Sequence, residues 1–174
     1  MTDRTPIATT NLDIYGNAAL PWSRPRDVLD GIDPATTTTW FLGTVRPEGR
    51  PHAAGVGAAW IDGNLYFVSG PETQKSKDLA VNPACTISVS LVGIDLVFEG
   101  EAKRISDTTT LDAVAAWYRS GGWPVEVGGD AFTAPFSAPS AGPPPWHLYR
   151  LDFSAVFGVA GQEPHGATRW SFAR

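Results

Sequence analysis

Cysteine is almost absent from this chain of 174 residues, in which Cys85 is the one example. A single thiol excludes an internal disulfide framework and any zinc site that needs several cysteines. Because Cys85 lies in the strand-like run ACTISVSL, we expect it to be a buried core residue.

Positive charge is also scarce, with 13 Lys and Arg against 18 Asp and Glu and a net charge of −5. A chain without a positive field offers little to a phosphate backbone, so no nucleic acid partner is expected. No apolar run approaches the ~20 residues of a membrane helix, and the opening MTDRTPIATTNLD lacks the apolar segment of a secretory signal. We therefore expect a cytoplasmic protein with no membrane partner.

The motifs of several common enzyme classes are missing too. His52, His147 and His165 are far apart and show no metal-ligand spacing with neighbouring carboxylates, so no metal site is expected. The chain has no GxSxG elbow, P-loop or kinase signature. The sequence therefore assigns no catalytic side chain.

The chain does have apolar material, since 43% of its residues are hydrophobic and 11% aromatic, with seven Trp. This is enough for a packed core, and the length suits one domain. We expect an N-terminal arm and short helix over residues 1–35, followed by a single domain over residues 36–174.

The hydrophobic pattern predicts a mainly β protein with short helices. Strands in succession, without alternating helices, are typical of an antiparallel barrel or sheet. The predicted strands cover 36–45, 52–61, 65–69, 86–91, 96–105, 146–153, 155–160 and 167–172, with a turn at Asp62-Gly63-Asn64. The predicted helices run from Ser23 to before Pro34, over 73–81, and from Thr108 to Ser120.

Residues 124–145 are rich in proline, glycine, alanine and serine and end in Gly142-Pro143-Pro144-Pro145. So many prolines predict a long loop with neither paired strands nor a helix. Loops of this length are uncommon unless they are functional.

The sharpest chemical feature is the segment Glu72 to Leu79, which holds two of the chain's three lysines, Lys75 and Lys77. A turn that opens into a helix offers a phosphate both positive charge and free N–H groups. Two residues apart on a helix, the lysines would point about 200° apart, so Lys75 is predicted to lie in the preceding turn. The alternative is an ordinary solvated helix start.

Two further features suggest ligand contacts. The residues from Gly55 to Ala59 have unusually small side chains for a strand. Such a stretch allows the close approach of a flat ring or, as an equally good interpretation, marks a β-bulge or a bend of the barrel. Near the end of the chain, Arg169 is a candidate anion clamp and Trp170 a stacking platform. Their alternative is a closing strand with an exposed arginine.

In their order along the chain, these segments resemble the flavin-binding split β-barrel superfamily, which includes pyridoxamine 5'-phosphate oxidase and the F420-dependent reductases. The resemblance rests on Gly49-Arg50-Pro51-His52, the Asp-Gly turn, Leu65 to Ser69, Thr73 to Leu79, Asn82-Pro83, Glu99 to Ala102 and Thr168 to Phe172. It implies an antiparallel split β-barrel that works as a homodimer, with the cofactor at the dimer interface.

The resemblance also implies roles for individual residues. Thr73, Lys75 and Lys77 would hold a phosphate, and the Gly55–Gly57 backbone would face the flavin ring. The full set of cofactor-binding candidates is Gly55, Val56, Gly57, Val68, Ser69, Thr73, Gln74, Lys75, Lys77, Arg169 and Trp170. The last two would reach the cofactor from the partner subunit.

One departure from the family pattern narrows the activity. True pyridoxamine 5'-phosphate oxidases carry an Arg and a Lys on the strand that corresponds to Ala53–Trp60, where this chain has small and aromatic residues. Oxidation of a pyridoxine phosphate is therefore not expected. The aromatic residues in and beside the Pro-rich segment instead predict an apolar or aromatic substrate pocket; they are Trp123, Phe132, Phe136 and Trp146.

The resemblance implies hydride transfer between a bound flavin-type cofactor and a small organic substrate. FMN is the expected cofactor because a compact two-lysine site matches one phosphate. F420 is the alternative, and its oligoglutamate tail would need a basic path, for which Arg46, Arg50 and Arg104 are candidates. A different class also stays open, namely a non-catalytic flavin- or haem-binding protein, with one of the three histidines as haem ligand.

Overall fold

The computed structural model describes residues 4–139 and 141–173, and it is mainly β with short helices, as predicted. The helices are α1 (Ser23–Asp30), α2 (Gln74–Val81) and α3 (Thr108–Ser120). The strands are β1 (Ala8–Asn11), β2 (Trp40–Val45), β3 (Pro51–Val56), β4 (Ala58–Ile61), β5 (Asn64–Ser69), β6 (Ala84–Leu91), β7 (Ile94–Ile105), β8 (Glu126–Gly128), β9 (Ala131–Thr133), β10 (His147–Ala160) and β11 (Gly166–Ser171). Of the helices described, not one has the length and apolar character of a membrane span.

The long strand β10 organises the sheet. Its first part, from His147 to Leu151, pairs with β5, and its later part, from Ala155, pairs with β11. On its other side β10 pairs with β7, and the sheet continues through β6, β2 and β3. Strand β4 follows β3 directly in the chain, but it pairs with β5 whereas β3 pairs with β2. This change of partner curls the sheet into the predicted antiparallel split barrel.

Two apolar clusters stabilise this arrangement. The larger one fills the barrel and includes Trp40, Phe67, Cys85 and Trp170, so the prediction that Cys85 is a core residue is confirmed. The smaller one lies where α3 and the Pro-rich segment cover the sheet. Since neighbouring residues of a strand point to opposite faces, β5 sends Phe67 into one cluster and Val68 into the other.

Three strand predictions need correction. The single strand predicted over 52–61 is wrong, because the chain breaks at Gly57 into β3, which pairs with β2, and β4, which pairs with β5. The strand predicted over 36–45 begins only at Trp40. Residues 146–153 and 155–160 were predicted as two strands, but they form one strand, β10, whose register shift between Phe153 and Ala155 absorbs an extra residue.

The prediction of no paired strands within 124–145 is also wrong. Strands β8 and β9 form a short antiparallel hairpin there. The prolines of the segment flank this hairpin, and Gly129, with φ of +67°, supplies the left-handed residue of its two-residue turn. The composition of the whole segment therefore concealed a proline-free stretch long enough to pair.

The N-terminal arm lies against the barrel along part of its length, since β1 pairs with β11. Helix α1 is tied to the barrel by Trp60, whose Nε1 donates a hydrogen bond to Asp30 at 2.7 Å. The division of the chain into an arm over residues 1–35 and a domain over residues 36–174 stays a prediction.

Candidate functional site

The end of β5 and the start of α2 are joined by a cluster of three hydroxyl groups. Thr73 caps the helix by accepting a hydrogen bond from the Ser76 N–H, and its Oγ1 lies 2.8 Å from the Oγ of Ser69. The Ser76 hydroxyl donates to the same Ser69 oxygen at 2.7 Å, and the Thr73 hydroxyl donates to the Gly70 carbonyl at 2.9 Å. The cluster therefore fixes where the first turn of α2 begins.

Lys75 and Lys77 both lie within α2, so the prediction that Lys75 precedes the helix is wrong. The cap at Thr73 starts the helix one residue before Lys75. Lys75 is only 5% exposed, and burial lowers the pKa of its ammonium group. The Lys77 side chain is 57% exposed, and its Nζ lies 3.3 Å from the Glu72 carboxylate. The two lysines therefore leave the helix in different directions and do not form one compact cationic pair within the chain.

Asp78 is a buried carboxylate that the sequence reasoning missed. It accepts hydrogen bonds from the Thr44 hydroxyl and from Nε2 of Gln74, both at 2.7 Å. Burial alone would raise the pKa of Asp78, but these two bonds, with the nearby charges of His52 and Arg46, outweigh it and hold the pKa below its ordinary value of 3.8. Because Thr44 pairs with His52 across β2 and β3, Asp78 links α2 to that part of the sheet.

The Asp78→Asn variant tests this link through the pH dependence of stability. A carboxyl group whose pKa falls on folding stabilises the native state above its unfolded pKa, and this stabilisation is lost as the pH falls through the folded pKa. We expect Asp78→Asn to be less stable than wild type at neutral pH, because a neutral amide replaces the charged oxygens that strengthen both hydrogen bonds. The difference in unfolding free energy should be constant above about pH 5 and narrow between about pH 5 and about pH 2.

The measurement is urea unfolding at several pH values, with Asp95→Asn, a change at an exposed carboxylate, as the control. The difference in unfolding free energy between wild type and Asp95→Asn should not narrow in this way as the pH falls. A wild-type-to-Asp78→Asn difference that stays constant across this range would contradict the assigned pKa direction.

The glycine-rich run forms an open stretch of backbone at the edge of the barrel. Gly55 and Gly57 are exposed, and a Cβ added at either residue would meet no atom of the described chain within 4 Å. Val56, between them, is buried in the barrel core. Tyr118 of α3 donates a hydrogen bond from its hydroxyl to the Gly57 carbonyl at 2.9 Å, so the β3–β4 break is held in one position.

The remaining candidates lie in two different places. Val68 is buried in the smaller cluster, while Gln74 is exposed at the first turn of α2 and bonded to Asp78. Trp170 is fully buried in the barrel core, where its Nε1 donates to the Leu20 carbonyl at 3.1 Å, so it offers no face to a cofactor. Its neighbour Arg169 is exposed on the outer face of the sheet.

Arg169 and Gly55 stand at opposite ends of one row across that outer face. The row runs, strand by strand, through Gly55, Phe41, Ser88, Val97, Phe157 and Arg169. Five strand spacings separate the ends, which is about 24 Å along the sheet. Arg169 and Gly55 therefore do not line one compact site within a single chain.

The predicted aromatic pocket of the Pro-rich segment is only partly present. Phe132 and Trp146 are fully buried in the smaller cluster, where they pack as core residues, which corrects their assignment to the walls of a substrate pocket. Their backbones bond to each other, and Trp146 Nε1 donates to the Gly142 carbonyl at 2.9 Å. Trp123 is half-buried and borders a cleft, and Phe136 is exposed. Apolar residues of a loop are drawn into whichever apolar surface they cover, and sequence does not identify that surface.

The basic and histidine candidates are also dispersed. Arg104 is paired with Asp130 at 2.7 Å. Arg46 and Arg50 lie at the two ends of the β2–β3 turn, where the Arg46 N–H donates to the Arg50 carbonyl. Within residues 4–139 and 141–173, no group of three or more His, Cys, Asp or Glu side chains is placed to hold a metal ion.

Comparisons with known proteins agree with the fold and the resemblance. Residues 34–160 match the family described as pyridoxamine 5'-phosphate oxidase. A NimC/NimA family protein from Clostridium acetobutylicum is 14% identical, with a TM-score of 0.58 over 84% of this chain and 90% of that chain. A pyridoxamine 5'-phosphate oxidase-related, FMN-binding protein from Nostoc punctiforme is 15% identical, with a TM-score of 0.51 over 90% of this chain and 100% of that chain.

A haem-binding protein from Mycobacterium smegmatis also has a similar structure, with 16% identity and a TM-score of 0.51 over 78% of this chain and 54% of that chain. At these identities the similarities show the shared fold alone. No curated protein sequence matches the chain.

Proposed function

Because this chain belongs to the pyridoxamine 5'-phosphate oxidase family, we propose that it is an oxidoreductase with a flavin-type cofactor. The cofactor is FMN or, as the alternative, F420, and a hydride passes between it and a small organic substrate. The observation that carries the proposal is the open backbone at Gly55 and Gly57, where an added Cβ would meet no atom of the described chain within 4 Å, as the close approach of a flat ring requires.

The residues around this backbone fit the charged part of such a cofactor. Arg46, in the turn between β2 and β3, has a buried Nε atom with no hydrogen-bond partner in the described chain. An unpartnered buried donor is costly, and a phosphate or carboxylate oxygen would satisfy it. In the proposed site Thr73, Lys75 and Lys77 add a hydroxyl and two cations on the first turn of α2, and Gln74 an exposed amide.

When bound, the flavin ring supplies the centre that accepts or gives the hydride. The chain supplies position and shelter, which need no side-chain base. Tyr118 holds the Gly57 carbonyl so that the backbone beside the ring does not move, and Asp78 with Thr44 holds α2 against the sheet. Ser69 ties the end of β5 to α2 through the hydroxyls of Thr73 and Ser76, and Val68 anchors the same strand in the smaller cluster.

The proposal includes a homodimer with the cofactor at its interface. Arg169 lies about 24 Å from Gly55 along the sheet, so it would meet a cofactor bound at Gly55 only across a subunit boundary. The outer face between them carries apolar side chains that a second copy would cover, such as Phe41, which is 50% exposed, and Val97. An Arg169 guanidinium 5.6 Å above the Phe157 ring lies on the same face.

The chain is not proposed to be a true pyridoxamine 5'-phosphate oxidase. Strands β3 and β4 contain neither Arg nor Lys. A substrate phosphate placed against them would lose water without gaining a cationic partner.

Titration of the purified, cofactor-free protein with FMN and, in parallel, with F420 tests the proposal. We expect one of them to bind, and the double variant Lys75→Met, Lys77→Met to bind it about 100-fold more weakly, since the positive charge on the first turn of α2 is removed. Methionine keeps the length of the buried Lys75 stem, so the fold should survive. Lys103→Met, at the third lysine, is the control and should bind like wild type.

The outcomes separate the alternatives. Equal affinity of the double variant and the control would contradict the phosphate site at α2. Binding of neither cofactor, together with a Soret band after haem addition, would favour the haem-binding alternative. A bound cofactor that neither a nicotinamide nor another donor reduces would favour a flavin carrier, and sedimentation of a loaded monomer would contradict the shared interface.

A further inference from the structure

A cleft lies next to the glycine backbone, between the segment that follows α1 and the C-terminal end of α3. Its volume is about 160 Å³. On the side of α3 and the residues after it the lining includes Trp117 and Trp123, and on the side of the segment after α1 it includes Ile32 and Thr36 to Thr38. The walls are closely apposed, because a Cβ at Gly121 would overlap the carbonyl of Pro34.

The cleft has no charge. Within the described chain its lining contains no Asp, Glu, Lys, Arg or His side chain. A phosphate, sulfonate or carboxylate in it would lose hydration and gain no cation, which is costly. A neutral ring would instead stack against the indoles of Trp117 and Trp123, and a polar substituent would reach the threonine hydroxyls. The volume also suits a single ring, since apolar cavities of about 150 Å³ hold benzene.

The cleft shares residues with the proposed cofactor site. Gly57 and Ala58, at the β3–β4 break, form part of its lining. Tyr118 lies between the two sites, because its ring packs edge-on against Trp117 and Trp123 while its hydroxyl holds the Gly57 carbonyl. A ring in the cleft and a ring beside Gly55 and Gly57 would therefore be neighbours.

We propose that this cleft binds the substrate, and that the substrate is an uncharged molecule carrying a single planar ring with a polar substituent. The proposal rests on the proposed function for the identity of the neighbouring cofactor. It names the substrate class of that site, and it assigns Trp117 and Trp123 as the residues that select an uncharged ring.

The first test measures binding without turnover, in cofactor-free protein, by saturation-transfer NMR. The probes are 4-cresol and toluene-4-sulfonate, which share a ring and a methyl group and differ in charge. We expect 4-cresol to bind and the sulfonate to give no signal. Trp117→Ala should weaken 4-cresol binding about fivefold, because the stacking contact is lost, and Trp117→Phe should restore most of it.

Two variants control this test. Tyr15→Ala removes an aromatic side chain that is 87% exposed and outside the cleft, and it should bind 4-cresol like wild type. Thr37→Lys places a cation at the rim and should make toluene-4-sulfonate bind. Equal binding of both probes by wild type, or unchanged 4-cresol binding by Trp117→Ala, would overturn the proposal.

The second test uses the cofactor-loaded protein and places the cleft relative to the ring. We expect 4-cresol to shift the visible absorption of the bound flavin and toluene-4-sulfonate to leave it unchanged. A 4-cresol that binds without any shift would overturn the assignment of the cleft as the substrate site. A protein that binds 4-cresol but neither FMN nor F420 would instead refute the proposed function alone, because the first test needs no cofactor.

Discussion

Trp146→Ala is expected to lower the free energy of unfolding by about 3–5 kcal/mol, the range for deleting a large buried aromatic side chain. Trp146 is fully buried in the smaller apolar cluster. Its ring lies 5.3 Å from that of Trp123, and its Nε1–H is satisfied by the Gly142 carbonyl. Removing the side chain leaves a cavity and takes away one of the two hydrogen bonds that the Gly142 carbonyl accepts, the other coming from the Ala138 N–H.

Urea unfolding followed by far-ultraviolet circular dichroism measures this loss. Phe136→Ala is a matched control, since Phe136 belongs to the same segment and lies 6.2 Å from the Trp146 ring but is 40% exposed. It should cost less than about 1 kcal/mol, as exposed positions usually do. If Trp146→Ala were as stable as Phe136→Ala and changed only substrate turnover, Trp146 would belong to a substrate pocket rather than to the core.

Gly70→Ala is expected to destabilise the protein by roughly 1–3 kcal/mol or more, as overpacking of rigid neighbours does. The added Cβ would overlap the carbonyl oxygen of Ala141, which is backbone and cannot rotate away. Gly70 also accepts hydrogen bonds from the Thr73 N–H and the Thr73 hydroxyl. A displaced Gly70 would therefore move the start of α2 and weaken cofactor binding as well as stability.

Gly161→Ala is the control, because a Cβ at Gly161 meets no atom of the described chain within 4 Å. Its unfolding midpoint in urea and its affinity for the cofactor should match those of wild type. A Gly70→Ala protein that matched this control in both measurements would show that the turn between β5 and α2 moves freely against the Pro-rich segment.

Local patterns predicted the parts of the fold that depend on neighbouring residues. The face of α3 that carries Leu111, Val114, Ala115 and Tyr118 is buried as the 3.6-residue spacing requires. The turn at Asp62-Gly63 follows from the positive φ angles that these residues tolerate. Helix α2 ends where Pro83 disfavours helical backbone at Asn82.

Burial at the candidate site was harder to predict. The rarity of lysine singled out the α2 segment as a candidate site. Only the structure shows that the cap at Thr73 places Lys75 within the helix and that the Lys75 side chain is buried. No sequence pattern indicated that Asp78 is buried, because an aspartate on an amphipathic helix is usually solvent-exposed. Its partner Thr44 is 34 residues away in the chain, a pairing that no local pattern reveals.

The sequence by itself determined the class of fold, the family and the segments from which the proposed site is built. These depend on backbone stereochemistry and on the spacing of apolar residues, which act over a few positions. The tertiary structure alone decided that Trp146 and Trp170 are core residues, that Gly57 breaks a strand in two, and that an uncharged cleft adjoins it. Each of these depends on which distant surface a residue covers, and burial free energy does not depend on order along the chain.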